Sequence, residues 1–543
     1  MPGPRRAEHL ARLAHEPFDL AVIGGGINGA GIARDATLRG LAVALIERDD
    51  FASGTSSRSS RLVHGGVRYL EHGYLHLVFE ASAERRTLLQ IAPHLVRPLP
   101  FTWPVYEGAR IPRWKLGAGL FLYDLLAAFR NVGNHQRLNA DEVLEREPMV
   151  RRDGLTGGAM YFDAATHDTR LTWENVLDAA AHGAAVANHC TVTGYEKLGG
   201  RVTGLHVHDE LGDATFAVQA KAVINAAGPW HDAVRQLDEP EHQHGVKGTK
   251  GVHIEVERGR VGNRDAITVI SGVDGRVMFV LPAGPHAIIG TTDTQTDASP
   301  DDVRADQGDV DYLLESANLA FPDAKLTRAD VISAWAGIRP LIAAGNTSDP
   351  ASASREHAIV TSASGVISVT GGKLTTYRSM SEEVVDTAVK ALRGSVRKSD
   401  TDDRPLPGGN VDDVAALVRH VTEVVGADDI AEQLVHSYGS EWESVWMLAV
   451  ERPELRARVA GGLPEIKAEL VWAAREEMAV TLADLFVRRT PLAFQLRDNA
   501  RGIARETAEL VAPELGWDAA AIGAAVAAWE REAVRLFSVL PSS

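Results

Sequence analysis

Cysteine is nearly absent from this chain of 543 residues, in which Cys190 is the only one. A single cysteine excludes an internal disulfide framework, a thiolate-bound iron–sulfur cluster and a CxxC redox pair. Any redox chemistry must therefore use a bound organic cofactor, and we predict no metal site.

The chain also lacks an excess of basic residues, a long apolar run and a signal peptide. Its formal net charge is −17, which argues against nucleic acid because phosphate binding needs a basic surface. The nearest approach to a membrane span, LGAGLFLYDLLAAF (116–129), is shorter than the ~20 apolar residues required and contains Asp124. The first residues lack the apolar core of a signal peptide. These absences predict a cytoplasmic protein without a transmembrane helix.

A nucleotide-binding signature occupies residues 18–50. A short buried strand is followed by Gly24, Gly26 and Gly29 in the G-x-G-x-x-G pattern, and then by a helix. These glycines permit a tight turn, a close approach of the backbone to a pyrophosphate, and packing of helix on strand. A second strand ends in Glu47, 18 residues after Gly29, where an acid accepts a hydrogen bond from a ribose. The pattern predicts dinucleotide binding.

The identity of the dinucleotide depends on what surrounds this signature. Glu47 would repel a 2′-phosphate, which disfavours NADP, although Arg48 beside it carries a compensating charge. The signature does not separate FAD from NAD. However, the second strand continues into FASGTSSRSSRLVHGG (51–66), whose hydroxyl groups suit an extended cofactor. Two distant strand–glycine elements, AKAVINAAGPW (220–230) and GVISVTGGKLTTYRSM (365–380), indicate a nucleotide fold interrupted by insertions.

Several motifs resemble those of the FAD-dependent glycerol-3-phosphate dehydrogenases, within the glycine/D-amino-acid-oxidase-like flavoproteins. In chain order, between about residues 19 and 380, these are GGGINGAGIARDA, SSRSSRLVHGGVRYLE, NAAGPW, KGTKGVH, IIGTTDT, AGIRPL and GGKLTTYR. The segment EEMAVTLADLFVRRTPLAF (476–494) resembles the helical cap domain of that family. The resemblance covers nearly the whole chain. The N-terminal arm and the distal helices match poorly, so no chemistry is assigned to them.

The resemblance implies that FAD is the cofactor and that residues 53–70 form the bed of the flavin. Serine and threonine hydroxyls would bond its pyrophosphate and ribityl oxygens, and a glycine pair would let the backbone approach the ring system. The residues expected to bind FAD are Gly24, Gly26, Ile27, Asn28, Gly29, Glu47, Arg48, Thr55, Ser56, Ser57, Ser60, Leu62, His64, Gly65, Gly66, Gly228, Gly372, Lys373, Leu374 and Thr375.

The substrate implied by the resemblance is a small phosphorylated alcohol, sn-glycerol 3-phosphate. Such a dianion requires fixed cations, and the planar fork of arginine binds phosphate in a bidentate manner. We expect Arg339 in AGIRPL and Arg68 in HGGVRYL to supply this charge. Tyr69 would face the substrate side, and Lys250 in TKGVHIEV would add a donor.

The reaction implied is oxidation of the secondary alcohol to dihydroxyacetone phosphate by hydride transfer to FAD. A base must accept the hydroxyl proton, and His64 and His253 are equal candidates because histidine titrates near neutrality; a base other than histidine stays open. Lys373 follows a glycine pair at a helix start, where it would favour negative charge on the reduced flavin. The expected catalytic residues are therefore His64, His253, Arg339 and Lys373.

The segment ARIPRWKLGAGLFLYDLLAAFR (109–130) is the candidate for the surface through which electrons leave the protein. Arg110, Arg113 and Lys115 surround Trp114 ahead of an apolar stretch, a combination typical of a helix that lies on a membrane surface. The resemblance implies delivery to a membrane quinone, with the protein attached peripherally to the inner face of the cell membrane. A buried helix with a loop, or a homodimer contact, explains the segment equally well.

Three alternative functions stay open at this point. The first is the same half-reaction with oxygen as acceptor, which yields hydrogen peroxide. The second is oxidation of a 2-hydroxy acid or an amino acid, because arginine binds carboxylate as well as phosphate. The third, from another class, is a flavin-bearing interaction module in which the C-terminal helices do the main work.

Length and composition predict two or three domains. The fold class expected is α/β, or α+β overall, because nucleotide-type strands alternate with helices and are followed by short antiparallel runs and then by helices. The predicted domains are a discontinuous Rossmann-like FAD-binding domain (18–75, 155–245 and 355–395), an antiparallel-sheet substrate domain (76–154 and 246–354) and an all-helical C-terminal cap domain (405–543).

Two patterns support helices in the C-terminal part. VDDVAALVRHVTEVVG (411–426) begins with acids and ends in glycine, as helices do. In LVWAAREEMAVTLADLF, apolar residues recur every three or four positions and predict one helix with a core-facing stripe, which consists of Leu470, Ala474, Met478, Leu482 and Leu485.

Overall fold

The computed structural model describes residues 5–67, 74–126, 132–242, 246–342, 357–393 and 395–541. Its strands are β1 (Phe18–Ile23), β2 (Val43–Ile46), β3 (Leu62–Val63), β4 (Val96–Tyr106), β5 (Gln136–Leu138), β6 (Leu155–Thr166), β7 (Ala185–Ala187), β8 (Cys190–Leu198), β9 (Arg201–Asp209), β10 (Ala214–Asn225), β11 (Val246–Glu257), β12 (Ala266–Ile270), β13 (Val277–Ala283), β14 (His286–Gly290), β15 (Thr294–Thr296), β16 (Val331–Ile342), β17 (His357–Thr361) and β18 (Ile367–Gly371).

The helices alternate with these strands in the first two thirds of the chain and then follow one another. They are α1 (Arg6–His15), α2 (Ile27–Leu38), α3 (Leu75–Ile91), α4 (Arg113–Leu126), α5 (Ala140–Arg146), α6 (Asp168–Ala181), α7 (His231–Gln236), α8 (Arg258–Val261), α9 (Gln307–Ala320), α10 (Tyr377–Leu392), α11 (Val414–Val425), α12 (Asp428–Tyr438), α13 (Trp442–Glu451), α14 (Lys467–Glu476), α15 (Leu492–Gln495), α16 (Ala504–Leu515) and α17 (Ala519–Phe537).

The first sheet is the predicted nucleotide-binding sheet. Its strand order is β17-β18-β10-β1-β2-β7, and every pair is parallel except β17 with β18. Helices α2, α6 and α10 cover one face through a common apolar core. The other face packs on α1 and on a β8–β9 hairpin that extends from β10. Burial on both faces explains why β2 and, after Asp19, β1 are continuous apolar runs.

The second sheet is built mainly from antiparallel pairs. Its strand order is β15-β11-β14-β13-β12-β4-β6-β3, with β16 paired to β11 and β5 paired to β6. The short antiparallel runs predicted for the substrate domain correspond, within residues 246–354, to β11, β12, β13 and β14. Helix α9 packs on one face of this sheet. The α/β fold class with an antiparallel second sheet is therefore confirmed.

One predicted domain boundary differs from the structure. The segment beginning at residue 155 was expected in the FAD-binding domain, but β6 pairs with β4 in the second sheet over eleven residues. The nucleotide-binding sheet resumes only after α6, at β7. The apolar pattern of a strand predicts its burial and does not identify its partner strand. Only the tertiary structure shows that β4 is the partner of β6.

The C-terminal helices form the predicted all-helical domain and share a core with the second sheet. Trp335 of β16 packs edge-on against Phe494 of α15, with their ring centroids 5.0 Å apart. Helix α11 begins and ends as its sequence predicts: the Asp413 side chain caps it by accepting a hydrogen bond from the backbone N–H of Ala416, and Gly426 ends it with φ +79°. None of the described helices is long and apolar enough to span a bilayer.

The helix predicted over the stripe from Leu470 to Leu485 is interrupted. Helix α14 ends at Glu476, and Met478 has a positive φ of 54°. A π-helical turn, Asp484–Arg489, follows. All five stripe residues are nevertheless buried. The spacing correctly predicted which side chains enter the core, but the break at Met478 was not predicted.

Buried ion pairs join this domain to the nucleotide-binding domain. Arg489 Nη1 lies 2.6 Å from Asp50 Oδ2, directly after β2. Arg170 Nη1 of α6 lies 2.7 Å from Glu477 Oε1. Removing one partner of such a pair would leave a buried charge uncompensated, so these contacts fix the C-terminal helices on the first domain.

Candidate active site

A cavity of about 510 Å³ lies where the carboxyl ends of parallel strands meet the second sheet. Ile23 at the end of β1, Ile46 at the end of β2, Ala226 after β10 and Gly371 at the end of β18 all line it. In open α/β sheets, this edge is where ligands bind. The second sheet contributes the opposite wall through β11 and β16.

The glycine turn after β1 has the geometry that its sequence predicts. Gly24 has φ +103°, and a Cβ atom there would lie 2.7 Å from the carbonyl oxygen of Ala226. A Cβ atom on Gly29 would overlap the carbonyl oxygen of Gly24, so helix α2 can approach the turn only with glycine at this position. The backbone N–H of Ile27 donates to Ser56 Oγ at 2.9 Å. The N-terminus of α2 therefore opens on the cavity beside a hydroxyl group.

Glu47 lies at the end of the cavity next to β2. Its carboxylate accepts hydrogen bonds from the backbone N–H groups of Gly25, at 2.6 Å, and Asp49, at 2.9 Å. Burial, with a smaller contribution from the Asp49 charge, raises the pKa of Glu47 to about 6. At neutral pH the group is therefore ionised and can accept a hydrogen bond from a ribose hydroxyl.

Arg48 is engaged with protein groups at the same end. Its Nη2 lies 2.6 Å from Asp301 Oδ1, and its guanidinium lies 4.8 Å from the ring centroid of Trp230. The Trp230 Nε1–H also donates to Asp301 Oδ1, at 3.1 Å. The Asp301 carboxylate offsets the charge of Arg48, and the neighbouring Glu47 carboxylate would repel a 2′-phosphate. This arrangement disfavours NADP, as the sequence suggested.

The serine-rich segment 53–60 runs along the cavity. Some of its hydroxyl groups bond to the protein backbone, and others face the cavity. Thr55 Oγ1 donates to the carbonyl oxygen of Ile338 at 2.7 Å, which ties the segment to β16. Ser56 and Ser60 line the cavity. Ser57 does not: its hydroxyl group turns back to the carbonyl oxygen of Gly54, at 3.3 Å.

His253 of β11 is buried in the opposite wall. Its Nε2 lies 2.8 Å from Ser60 Oγ, and its ring stacks on Trp335 with the centroids 5.5 Å apart. Its Nδ1 has no hydrogen-bond partner among the described residues. Burial, followed by the charges of Arg339 and Arg61, lowers the pKa of His253 to about 3. The imidazole is therefore neutral at neutral pH, and it gains basicity only if a negative charge binds beside it.

Arg339 lines the same wall, on the neighbouring strand β16. Its Nη2 donates to Thr291 Oγ1 at 2.9 Å, and its Nη1 lies 3.1 Å from Asp293 Oδ1. A Cβ atom on Gly251 of β11 would overlap the guanidinium, so the glycine makes room for it. Arg339 lowers the pKa of His253 through its charge, which places a fixed cation and a neutral imidazole beside each other.

The third wall is the glycine turn after β18. Gly371 and Gly372 both have positive φ, +76° and +84°. Lys373 follows at the start of a short helical turn, Leu374–Thr376, that leads into α10. Thr375 Oγ1 accepts a hydrogen bond from the backbone N–H of His64 at 3.1 Å. This contact joins the turn after β18 to the backbone that follows the serine-rich segment.

The cavity has the size and the polar groups that FAD requires. Its volume lies within the range of about 300–1,000 Å³ typical of cofactor sites. A Cβ atom on Gly228 would meet nothing within 4 Å, and one on Gly26 would meet only Ser56 Oγ, at 3.3 Å, so both glycines border open space. Glu47 would hold the adenosine ribose and the N-terminus of α2 the pyrophosphate. The remaining end, near His253, would hold the flavin ring.

Comparison with known proteins agrees with this geometry. Residues 19–378 match the family model of FAD dependent oxidoreductases, and residues 399–522 match the C-terminal domain of alpha-glycerophosphate oxidase. The glycerol-3-phosphate dehydrogenase 2 of Mycobacterium tuberculosis strain H37Rv is 39% identical over 97% of this chain and 90% of its own length. The aerobic glycerol-3-phosphate dehydrogenase of Staphylococcus saprophyticus is 36% identical over 94% of both chains.

A solved structure extends the likeness to the fold. The glycerol-3-phosphate dehydrogenase from Bacillus halodurans, complexed with FAD, superimposes with a TM-score of 0.80 and 34% identity over 98% of this chain and 97% of the other. The chain belongs to the FAD-dependent glycerol-3-phosphate dehydrogenase family. It is a flavoprotein oxidoreductase whose cofactor is FAD.

Most of the residues expected at the FAD and substrate sites of this flavoprotein do meet in the one cavity. Those that line it are Gly24, Gly26, Ile27, Asn28, Glu47, Arg48, Thr55, Ser56, Ser60, Leu62, His64, Gly228, His253, Arg339, Gly372, Lys373, Leu374 and Thr375. They come from both sheets and from segments more than three hundred residues apart.

Other expected residues lie elsewhere. Gly29 acts through helix packing, and Gly65 and Gly66 adjoin the cavity without lining it. Lys250 lies outside the cavity because alternate residues of β11 face opposite sides of the sheet: Gly251 and His253 face the cavity, whereas the ammonium of Lys250 pairs with the carboxylates at the start of α9. Arg68 and Tyr69 lie outside the described residues.

Several residues that line the cavity were not among those expected from the sequence. Thr191 and Val192 of β8 border the cavity, and so do Arg58 and Trp230. Trp230 could have been found, because it ends the quoted motif NAAGPW. Thr191 and Val192 carry no recognisable signal, since they lie on a hairpin strand that reaches the cavity only through the fold.

Proposed function

We propose that this flavoprotein oxidises sn-glycerol 3-phosphate to dihydroxyacetone phosphate and passes the electrons to a membrane quinone. The observation that carries the proposal is that Arg339 and the neutral His253 line the same wall of the cavity, near enough for the arginine's charge to lower the pKa of the imidazole. A cation for phosphate and a base for a hydroxyl group are the two requirements of this substrate.

Each residue has a role that follows from its chemistry. Arg339 binds the phosphate, because its planar fork stays charged and offers two parallel donors. His253 accepts the hydroxyl proton. Its pKa of about 3 in the free protein rises when a dianion binds beside it, since a nearby negative charge favours the imidazolium. Bound FAD would supply the acceptor for the hydride that leaves the carbinol carbon. Lys373 places a positive charge at this end of the cavity, where it stabilises the negative charge that arrives with the electrons.

Anaerobic mixing of the FAD-loaded protein with sn-glycerol 3-phosphate tests the proposal. We expect the flavin absorbance near its visible maximum to bleach with this compound, because both the cation and the base are engaged. Free glycerol lacks the phosphate and lactate has a different anion, so both should respond weakly. Bleaching by lactate or an amino acid instead would favour the second alternative. If no alcohol bleaches the fully loaded protein, the non-catalytic interpretation is correct.

The proposed quinone acceptor requires a surface that meets the membrane close to the flavin. On α4, Trp114 (72% exposed) and Leu125 (51% exposed) lie on one face, and Phe79 of α3 adds a further exposed ring. Basic side chains at the start of α4 suit anionic lipid head groups. A Cβ atom on Gly65 would overlap the hydroxyl group of Tyr123 on the buried face of α4. The α3–α4 surface thus lies just beyond the flavin end of the cavity.

Replacing Trp114 and Leu125 with serine should weaken binding to anionic lipid vesicles by about tenfold or more, because burial of each side chain in the interface contributes about 1.5–3 kcal/mol. Vesicle sedimentation measures the binding. Activity with a soluble dye acceptor should stay near that of the parent protein, whereas activity with a vesicle-bound quinone should fall.

Leu198→Ser is the matched control, since Leu198 is 76% exposed on the β8–β9 hairpin, which belongs to the nucleotide-binding sheet and not to the α3–α4 surface. An equal loss of vesicle binding in this control would contradict the assignment of the α3–α4 surface. A change from dimer to monomer in the double variant, without loss of vesicle binding, would show a subunit interface instead. Hydrogen peroxide formed in step with substrate use would favour oxygen as the acceptor.

A further inference from the structure

A buried polar cluster lies between the α3–α4 surface and the flavin end of the cavity. It consists of Arg85 on α3, Tyr123 on α4 and Asp163 on β6, all of which are at least 95% buried. The chain segments that carry them are far apart in sequence, and none of the three residues lines the cavity.

One carboxylate oxygen is the centre of this cluster. Asp163 Oδ1 accepts a hydrogen bond from the Tyr123 hydroxyl at 2.6 Å, is ion-paired with Arg85 Nη1, and accepts the backbone N–H of Gly65 at 3.0 Å. Arg85 Nη1 also donates to Tyr123 Oη at 2.6 Å. Burial raises the pKa of Tyr123 well above its usual value, so its hydroxyl group stays protonated and donates.

The backbone that Asp163 holds follows shortly after the serine-rich segment 53–60. His64 lines the cavity, and its N–H is bonded to Thr375 Oγ1 on the nucleotide-binding side. The next residue, Gly65, is bonded to Asp163 on the side of the second sheet. Gly65 also has no room for a side chain, because a Cβ atom would overlap the Tyr123 hydroxyl and lie 2.8 Å from Ser82 Oγ. The segment is thus held from two directions at the flavin end.

We infer that Asp163, oriented by Arg85 and Tyr123, is a positioning residue that fixes the backbone at His64 and Gly65 against the flavin ring and couples it to the helices of the α3–α4 surface. The inference rests on the proposed function only for the use of that surface. Three donors on one buried carboxylate oxygen leave it little freedom to move, and loosening any of them shifts the Gly65 peptide.

Tyr123→Phe tests the inference because it removes one hydroxyl group and keeps the ring. We expect the dissociation constant for FAD to rise about tenfold, as for loss of a hydrogen bond to a charged group, and the visible absorbance bands of bound FAD to shift. Reconstitution of the apoprotein with FAD measures the first quantity, and a spectrum without substrate the second. Thermal unfolding of the apoprotein measures general destabilisation.

Tyr161→Phe is the matched control. Tyr161 is equally buried and contacts the Tyr123 ring edge-on, with the centroids 6.3 Å apart, but its hydroxyl group is directed to Thr268 Oγ1 at 3.4 Å. It should lower the unfolding temperature at most as much as Tyr123→Phe and leave FAD affinity and spectrum unchanged. Equal changes in both variants would reduce the effect to core packing and overturn the inference. Unchanged FAD affinity and spectrum in Tyr123→Phe would also overturn it.

A measurement on the parent protein keeps the inference testable if Tyr123→Phe does not fold. Hydrogen exchange should show the Gly65 amide protected in the apoprotein, where the bond to Asp163 does not depend on FAD; exchange at the rate of an open loop would overturn the inference. None of these readouts uses substrate. Failure of sn-glycerol 3-phosphate to bleach the flavin would therefore contradict the proposed function and leave this result standing.

Discussion

Replacing Arg339 with alanine will lower kcat/KM for sn-glycerol 3-phosphate by about 10²–10³-fold and leave FAD bound, because the half-buried Arg339 becomes desolvated against the bound phosphate and truncating one partner of such a charge pair costs about 2–5 kcal/mol. Two effects add here. The phosphate loses its bidentate partner, and the Asp293 carboxylate, 3.1 Å from Arg339 in the parent protein, is left without that cation and repels the dianion. Most of the loss should appear in KM, since the phosphate is held equally before and during hydride transfer.

Steady-state kinetics with a soluble dye acceptor measures this loss, and the flavin absorbance reports occupancy. Arg339→Lys should recover only part of the affinity, because an ammonium group cannot form two parallel bonds. Lys250→Ala is the matched control: Lys250 is a cation on the adjacent strand, but it is paired with Asp306 and Asp309 outside the cavity. Loss of FAD from Arg339→Ala, or an equal rise in KM for Lys250→Ala, would contradict the division of roles.

Replacing His253 with asparagine will slow reduction of the flavin by substrate by about 10²–10⁴-fold, the range for loss of a general base. KM should change little, because the imidazole acts on the hydroxyl proton. Stopped-flow measurement of flavin bleaching isolates this step from reoxidation. His64→Asn is the comparison, since His64 was the rival candidate from sequence. A larger loss in His64→Asn than in His253→Asn would assign the base to His64.

The pH dependence of the parent enzyme gives an independent check on His253. A protonated imidazole cannot accept a proton, so the rate falls as pH drops below the pKa. In the free enzyme that pKa is about 3, and kcat/KM should therefore show no acid limb from His253 above about pH 4. In the substrate complex the dianion raises the pKa, so the acid limb of kcat should lie at higher pH than that of kcat/KM. An acid limb near pH 6.5 in kcat/KM, beyond the one that protonation of the substrate phosphate itself produces at about pH 6, would contradict burial of a neutral His253.

The same lowered pKa has a consequence for stability. The unfolded chain binds a proton at this histidine near pH 6.5, whereas the folded protein binds it only near pH 3. Between these values the unfolded state holds more protons, so the contribution of His253 to stability is complete above about pH 6.5 and is lost as pH falls. His253→Asn should accordingly lose less stability between pH 7 and pH 4 than the parent protein.

Much of the nucleotide-binding half could be predicted from sequence because its signals are local. Gly24 and Gly29 are required by a turn and a helix that follow one another directly in the chain, and Glu47 ends the next strand. Helix α11 carries its own start and stop signals in Asp413 and Gly426. The motifs shared with the family predicted FAD, and the comparisons confirm it.

For other features, the sequence predicted the chemical character of a residue but not its final position. The spacing of Leu470, Ala474 and Met478 predicted burial correctly, yet the helix breaks at Met478 because tertiary packing overrides helical periodicity. Lys250 carries the right charge in the right motif, but the register of β11 turns it away from the cavity. A cation can be recognised in a sequence, whereas the face of the sheet that it occupies depends on pairing.

The sequence by itself determined the cofactor class, the two-sheet architecture with a helical C-terminal domain, and the short list of cations and histidines from which the site is drawn. Only the tertiary structure decided that Arg339 and His253 line the same wall of the cavity, that Arg48 is paired with Asp301, and that Asp163 holds Gly65. The physical reason is distance along the chain. Turn and cap geometry depends on neighbouring residues, but these contacts join strands and helices whose pairing becomes specific only when the apolar cores close around them.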